Sequence, residues 1–155
     1  MSTHAMSPIE VSPARRTRHA GDAARFVVPL GRLCIVLIFL LSVPGLFSSK
    51  TIAMAASQGV PMASIAVPAA GFLELVGALL VLVGFHARLG AWLLVLFLVP
   101  VTLAMHPFWN VTDPGMHEVQ QIMFMKNVAI LGGALLIAYF GAGPVSVDQR
   151  MPAAR

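Results

Sequence analysis

Residues 62–83 read MASIAVPAAGFLELVGALLVLV, a stretch with one charged side chain, Glu74. A helix rises 1.5 Å per residue, so about 20 apolar residues cross the roughly 30 Å of hydrocarbon in a bilayer, and this segment is long enough. Outward from it, three further stretches have the same character: Val27 to Phe47, Leu89 to Met105 and Gln121 to Phe140. None alternates apolar and polar residues with period two, which excludes a membrane barrel. Short connections make sequential helices antiparallel neighbours, so the expected fold is all-α, an integral membrane up-and-down four-helix bundle.

Composition agrees. Of 155 residues 58% are hydrophobic and 10% charged, where soluble domains carry about 45–50% and 25%. Between residues 33 and 147 the charged side chains are Lys50, Glu74, Arg88, Asp113, Glu118 and Lys126 alone. This excludes a water-soluble enzyme, and the lone Cys34 excludes a disulfide-stapled secreted domain. Three parts follow: a disordered basic tail over 1–26, a four-span membrane domain over 27–148, and a short tail over 149–155. The arm holds Arg15, Arg16, Arg18 and Arg25 without apolar periodicity, which suits anionic headgroups rather than nucleic acid. A reading of the first span as a cleaved signal peptide fails on the length before the apolar run, on the run's continuation to Phe47 and on the odd number of spans that cleavage would leave.

In the connections, His106 to Gln120 is expected to be the longest loop, and Lys50 to Gln58 a brief helix stopped by Gly59 and Pro61. An even number of spans puts Arg15, Arg16, Arg18, Arg25, Arg32, Arg88, Arg150 and Arg155 on one side and Lys50 and Lys126 on the other. The positive-inside bias therefore makes both termini cytoplasmic. The sequon at Asn110 faces outward but adjoins the membrane and matters only in a secretory pathway.

Ionisable groups within spans are costly unless paired or hydrated, and so are functional candidates. Counted from the cytoplasmic ends of their spans, Arg32 lies roughly 8 Å deep, Glu74 about 14 Å and Lys126 about 21 Å. Gly71, Gly77 and Ala78 share the helix face of Glu74 and aim it into the bundle. Three readings stay open. Arg32, Glu74, Lys126 and Asn127 form a structural ion-pair cluster; or they line a polar pocket for a small ligand or quinone headgroup; or Arg32 and Lys126 snorkel to opposite surfaces. At the outer interface His106 and Trp109 are either belt residues or a second site. His86 and His106 bracket the third span about 30 Å apart and cannot share a haem. His106, His117, Met105, Met116, Met123 and Met125 gather soft ligands near the outer face, yet in so apolar a chain packing explains the methionines, and no metal site is expected.

The order of these features resembles the DoxX family of small bacterial inner-membrane proteins. It runs from Gly31-Arg32 through Pro44-Gly45, Lys50, Gly59-Val60-Pro61, Leu73-Glu74-Leu75-Val76-Gly77, Gly84 and Arg88. It continues with His106-Pro107-Phe108-Trp109, Lys126-Asn127-Val128-Ala129, Gly132-Gly133 and Gly141 to Pro144, ending at Ser146 and Asp148. The resemblance implies a multi-pass protein of the bacterial inner membrane, with polar positions at Arg32, Glu74, His106, Trp109, Lys126 and Asn127. It further implies a non-autonomous membrane subunit that binds quinone or another small molecule, has no intrinsic cofactor and anchors a redox partner subunit. Other expected partners are membrane lipid and a second copy of the chain, as a homo-oligomer. The alternatives are a small transporter in which Glu74 titrates, and a purely structural adaptor. A pocket open to lipid at one depth favours quinone, and a polar path past Glu74 to both faces favours transport.

Overall fold

A computed structural model describes residues 24–151; the expectations for the basic arm before residue 24 fall outside the described residues. Five α-helices follow in order: α1 (Val27–Leu46), α2 (Ser49–Ser57), α3 (Ala63–Val83), α4 (Ala87–Met105) and α5 (Pro114–Phe140). A 3₁₀ turn, Phe108–Asn110, lies between α4 and α5. Four of the helices, α1, α3, α4 and α5, are long and apolar enough to cross a membrane, and no strand occurs among the described residues.

The short helix α2 forms where expected, because Ser48 accepts a hydrogen bond from the Thr51 amide at 3.2 Å and so caps its start. The loop from His106 to Gln120 is shorter than expected. Its last seven residues are the opening turns of α5, since Asp113 accepts from the Met116 amide at 2.8 Å and Pro114 takes the first helical position. Hydropathy misses this start because a cap and an N1 proline act through backbone geometry rather than apolarity.

Helix α3 is the centre of the bundle. It packs against α1, α2 and α4, while α5 packs along α4 and barely touches α1. Close approach of α3 and α4 depends on Gly77 and Gly90: a Cβ on Gly77 would lie 2.9 Å from the Gly90 carbonyl oxygen, and one on Gly90 would lie 2.8 Å from that of Gly77. Around this crossing Val36, Ala78, Val81, Ala91 and Leu94 are wholly buried. Large apolar residues such as Leu41, Phe72, Tyr139 and Phe140 are exposed on the outside, as a lipid-facing surface requires.

Beyond α5 the chain turns back over one end of the bundle. Arg32 Nη2 donates to the Val145 carbonyl at 2.7 Å, and the Asp148 amide donates to the Gly84 carbonyl at 2.8 Å. The Asp148 carboxylate accepts from the His86 amide at 2.6 Å and the Ala87 amide at 3.0 Å, capping the first turn of α4. The start of α1 and the carboxyl-terminal segment thus share one end, which the charge bias assigns to the cytoplasm.

Candidate functional site

The small residues around Glu74 bring neighbouring helices close, and the side chain turns inward as a result. It is wholly buried. Its Oε1 accepts a hydrogen bond from the Ser42 hydroxyl of α1, while its Oε2 is buried with no hydrogen-bond partner. The same Ser42 hydroxyl also lies 2.8 Å from the Phe39 carbonyl. One hydroxyl proton therefore serves two acceptors, and the carboxyl group as a whole is under-satisfied, a condition that costs about 1–3 kcal/mol in a buried setting.

One helical turn further from the cytoplasmic end lies a cavity of about 360 Å³ between the end of α1, helix α2 and the facing halves of α3 and α4. Its size falls within the roughly 300–1,000 Å³ of small-molecule sites. Val67, Ala70 and Leu73 come from α3, Phe97 and Val101 from α4, Leu46 from α1 and Ala55 from α2. Among its lining side chains the one hydroxyl is that of Thr51, which is 2.9 Å from the Ser48 hydroxyl. No charged side chain lines it. Ala69, Leu96 and Pro100 line the cavity and are exposed, so its mouth opens between α3 and α4 towards lipid.

The structure does not bring Arg32, Glu74, Lys126 and Asn127 together. Arg32 is buried, but it is ten residues before Ser42 on α1, about 15 Å along the helix axis, and it serves the carboxyl-terminal segment. Its Nε and Nη1 have no hydrogen-bond partner. The apolar layer of Val36, Ala78, Val81 and Leu94 separates it from Glu74. Lys126 is exposed on α5, with its ammonium 3.3 Å from the Met123 sulfur. The adjacent Asn127 is buried and donates to the Thr102 hydroxyl at 3.1 Å, joining α5 to α4. Lys126 and Asn127 thus occupy different faces, and the cation that was to flank Glu74 from above points away from it.

At the outer end His106 Nδ1 lies 2.8 Å from Gln120 Oε1, which fastens the connection to α5. Trp109 is exposed and stacks edge-on with Phe108 and Phe124, at centroid distances of 5.1 and 5.8 Å. His117 meets the Phe108 ring at 5.6 Å. These contacts form one aromatic cluster around Phe108 and Phe124. Among the described residues no group of three His, Cys, Asp or Glu side chains is placed to hold a metal ion. Cys34 is exposed on α1.

Sequence reasoning missed Ser42, Thr51 and the cavity. Ser42 is polar and lies on α1 within a span, a signal as good as that of Asn127. The cavity had no such signal, because it depends on how α2 lies across the ends of α3 and α4.

A model of the SURF4 family matches residues 13–152 of the chain. Inner membrane protein YphA of Escherichia coli (strain K12) is 32% identical over 132 residues, which cover 84% of this chain and 94% of that relative. No solved structure matches the chain. The resemblance to the DoxX family is overturned by the SURF4 match. The features that carried it are mostly helix ends and close approaches, such as Gly84 with φ +70°, Gly141 with φ +84° and the Gly77 crossing, and compact bundles of this size share such needs. Because the SURF4 match runs through all four spans and the inner-membrane relative is covered nearly end to end, the chain is a multi-pass inner-membrane protein and belongs to the SURF4 family.

Proposed function

We propose that the protein takes an apolar, chain-like molecule from the outer half of the bilayer into the cavity between α2, α3 and α4. The observation that carries this reading is the cavity itself, apolar throughout except for Thr51 and open to lipid beside Leu96 and Pro100. Such a lining gains affinity from buried apolar area, about 25 cal/mol per Å², and offers no charge for a polar headgroup. An isoprenoid tail, including that of a quinone, and a lipid acyl chain share this chemistry. A redox partner subunit is no part of this reading, since neither the cavity nor the comparisons support one. The transporter reading is disfavoured by the wholly buried apolar layer between Glu74 and Arg32, which interrupts a polar path towards the cytoplasm.

The test is photocrosslinking in nanodiscs with two diazirine probes, one farnesyl and one straight acyl chain, mapped by mass spectrometry. Labelling of Val67 to Leu73 and Leu96 to Met105 is expected, and Ala70→Phe, which fills the cavity, should remove most of it. Preference for one probe identifies the source of the chain. Labelling that is indifferent to Ala70→Phe overturns the proposal.

A further inference from the structure

Glu74 Oε2 is a wholly buried oxygen without a partner, and the cavity above it has no polar group of its own at that end. We propose that the two are one amphipathic site for a chain alcohol, with the apolar chain in the cavity and the terminal hydroxyl donated to Glu74 Oε2. This rests on the reading of the cavity as a chain-binding site.

The register of two helices supports the assignment. On α1, Ser42 is four residues before Leu46, which lines the cavity; on antiparallel α3, Glu74 is four residues after Ala70, which also lines it. Each helix therefore sets its polar member one turn from a cavity-lining residue, about 6 Å along the axis, and the hydrogen bond between Ser42 and Glu74 confirms the common level. The floor consists of side chains rather than backbone: Leu46, Leu73 and Phe97. Reaching Oε2 from the cavity requires these side chains to change rotamer; of them Phe97 packs edge-on against Phe39, with ring centroids 6.2 Å apart.

The chemistry selects an alcohol. Arg32 cannot satisfy Oε2, because the layer of Val36, Ala78 and Val81 intervenes. The missing partner is thus a donor that arrives from the lipid side. A carboxylate ligand offers no proton and repels Glu74 when both are ionised, and an ammonium must shed its hydration to cross an apolar cavity. A hydroxyl is neutral and donates one hydrogen bond without bringing a charge into the apolar cavity.

The experiment uses the full chain in nanodiscs and measures displacement of the farnesyl photoprobe by farnesol, by its deoxy hydrocarbon and by farnesylamine. Wild type is expected to prefer farnesol to the hydrocarbon about tenfold, the worth of one net hydrogen bond. Glu74→Met should abolish the preference while the hydrocarbon still binds, and Glu74→Gln, whose amide oxygen still accepts, should retain it. A probe carrying its diazirine at the hydroxyl end should label α1 or α3 within a turn of Glu74, a readout that stands even if Glu74→Met fails to fold. An undiminished preference in Glu74→Met, tighter binding of farnesylamine, or labelling of the hydroxyl end at α2 or Met105 overturns the alcohol site and leaves the chain-binding cavity intact. Failure of wild type to bind any of the three overturns the alcohol site, and if the straight acyl probe also fails to label the cavity, the chain-binding reading falls with it.

Discussion

At the scale of single residues, Glu74 and Lys126 separate two accounts of the buried charge. Breaking a buried ion pair by removing one partner costs about 3–5 kcal/mol. Glu74 has Ser42 as its partner, and Lys126 is exposed against the Met123 sulfur, so neither substitution strands an opposite charge. Glu74→Gln keeps the size of the side chain and an acceptor for Ser42, and is expected to shift stability by no more than about 1 kcal/mol. Lys126→Met should fall within about 0.5 kcal/mol of wild type. Thermal unfolding of the purified variants in detergent checks both. A loss of several kcal/mol in each, with the double mutant no worse than either alone, would restore the ion pair. Arg32 differs: its guanidinium anchors the carboxyl-terminal segment through the Val145 carbonyl, and its place is structural.

Among the elements, the α3–α4 crossing is the least tolerant of added volume. A Cβ on Gly90 would stand 2.7 Å from the Leu80 Cβ and 2.8 Å from the Gly77 carbonyl oxygen, contacts that only a shift of the helices relieves. On α5, a Cβ on Gly132 would meet nothing within 4 Å. Gly90→Ala is therefore expected to destabilise by about 1–3 kcal/mol, whereas Gly132→Ala should be neutral or slightly stabilising because alanine favours the helix by roughly 1 kcal/mol over glycine. Equal melting temperatures for the two variants would contradict the crossing as described. Both positions are glycines in apolar spans, and nothing in the chain ahead of folding distinguishes them. The opening turns of α5 and the capped α2 show the opposite case, in which local signals at Asp113, Pro114 and Ser48 suffice.

For the whole molecule, orientation is the testable property. The carboxyl-terminal segment and the start of α1 meet at one end through Arg32 and Val145, and Asp148 ties the same end to α4. The arginine excess on that side directs it to the cytoplasm. A reporter active only in the cytoplasm is expected to work when fused after Arg155 or beside Arg88, and to fail within Asp113 to Gly115. Activity at the latter site would invert the bundle and place the cavity in the inner half of the bilayer.

The amino-acid sequence determined the number of spans, the absence of alternating strands and the helix between the first two spans, and its charge count predicts the sidedness. Each of these follows from apolar length, local capping or charge count, which act along one segment at a time. Tertiary structure decided which face of each helix turns inward. In water an apolar stripe marks the buried face, but in a bilayer the outer face is as apolar as the inner one. Depth along a span was therefore legible, and rotation about its axis only at Glu74, where Gly71, Gly77 and Ala78 mark the inward face. Lys126 and Asn127, adjacent in sequence, turn to opposite environments, Glu74 meets Ser42 rather than a cation, and the cavity arises only where α2 crosses α3 and α4.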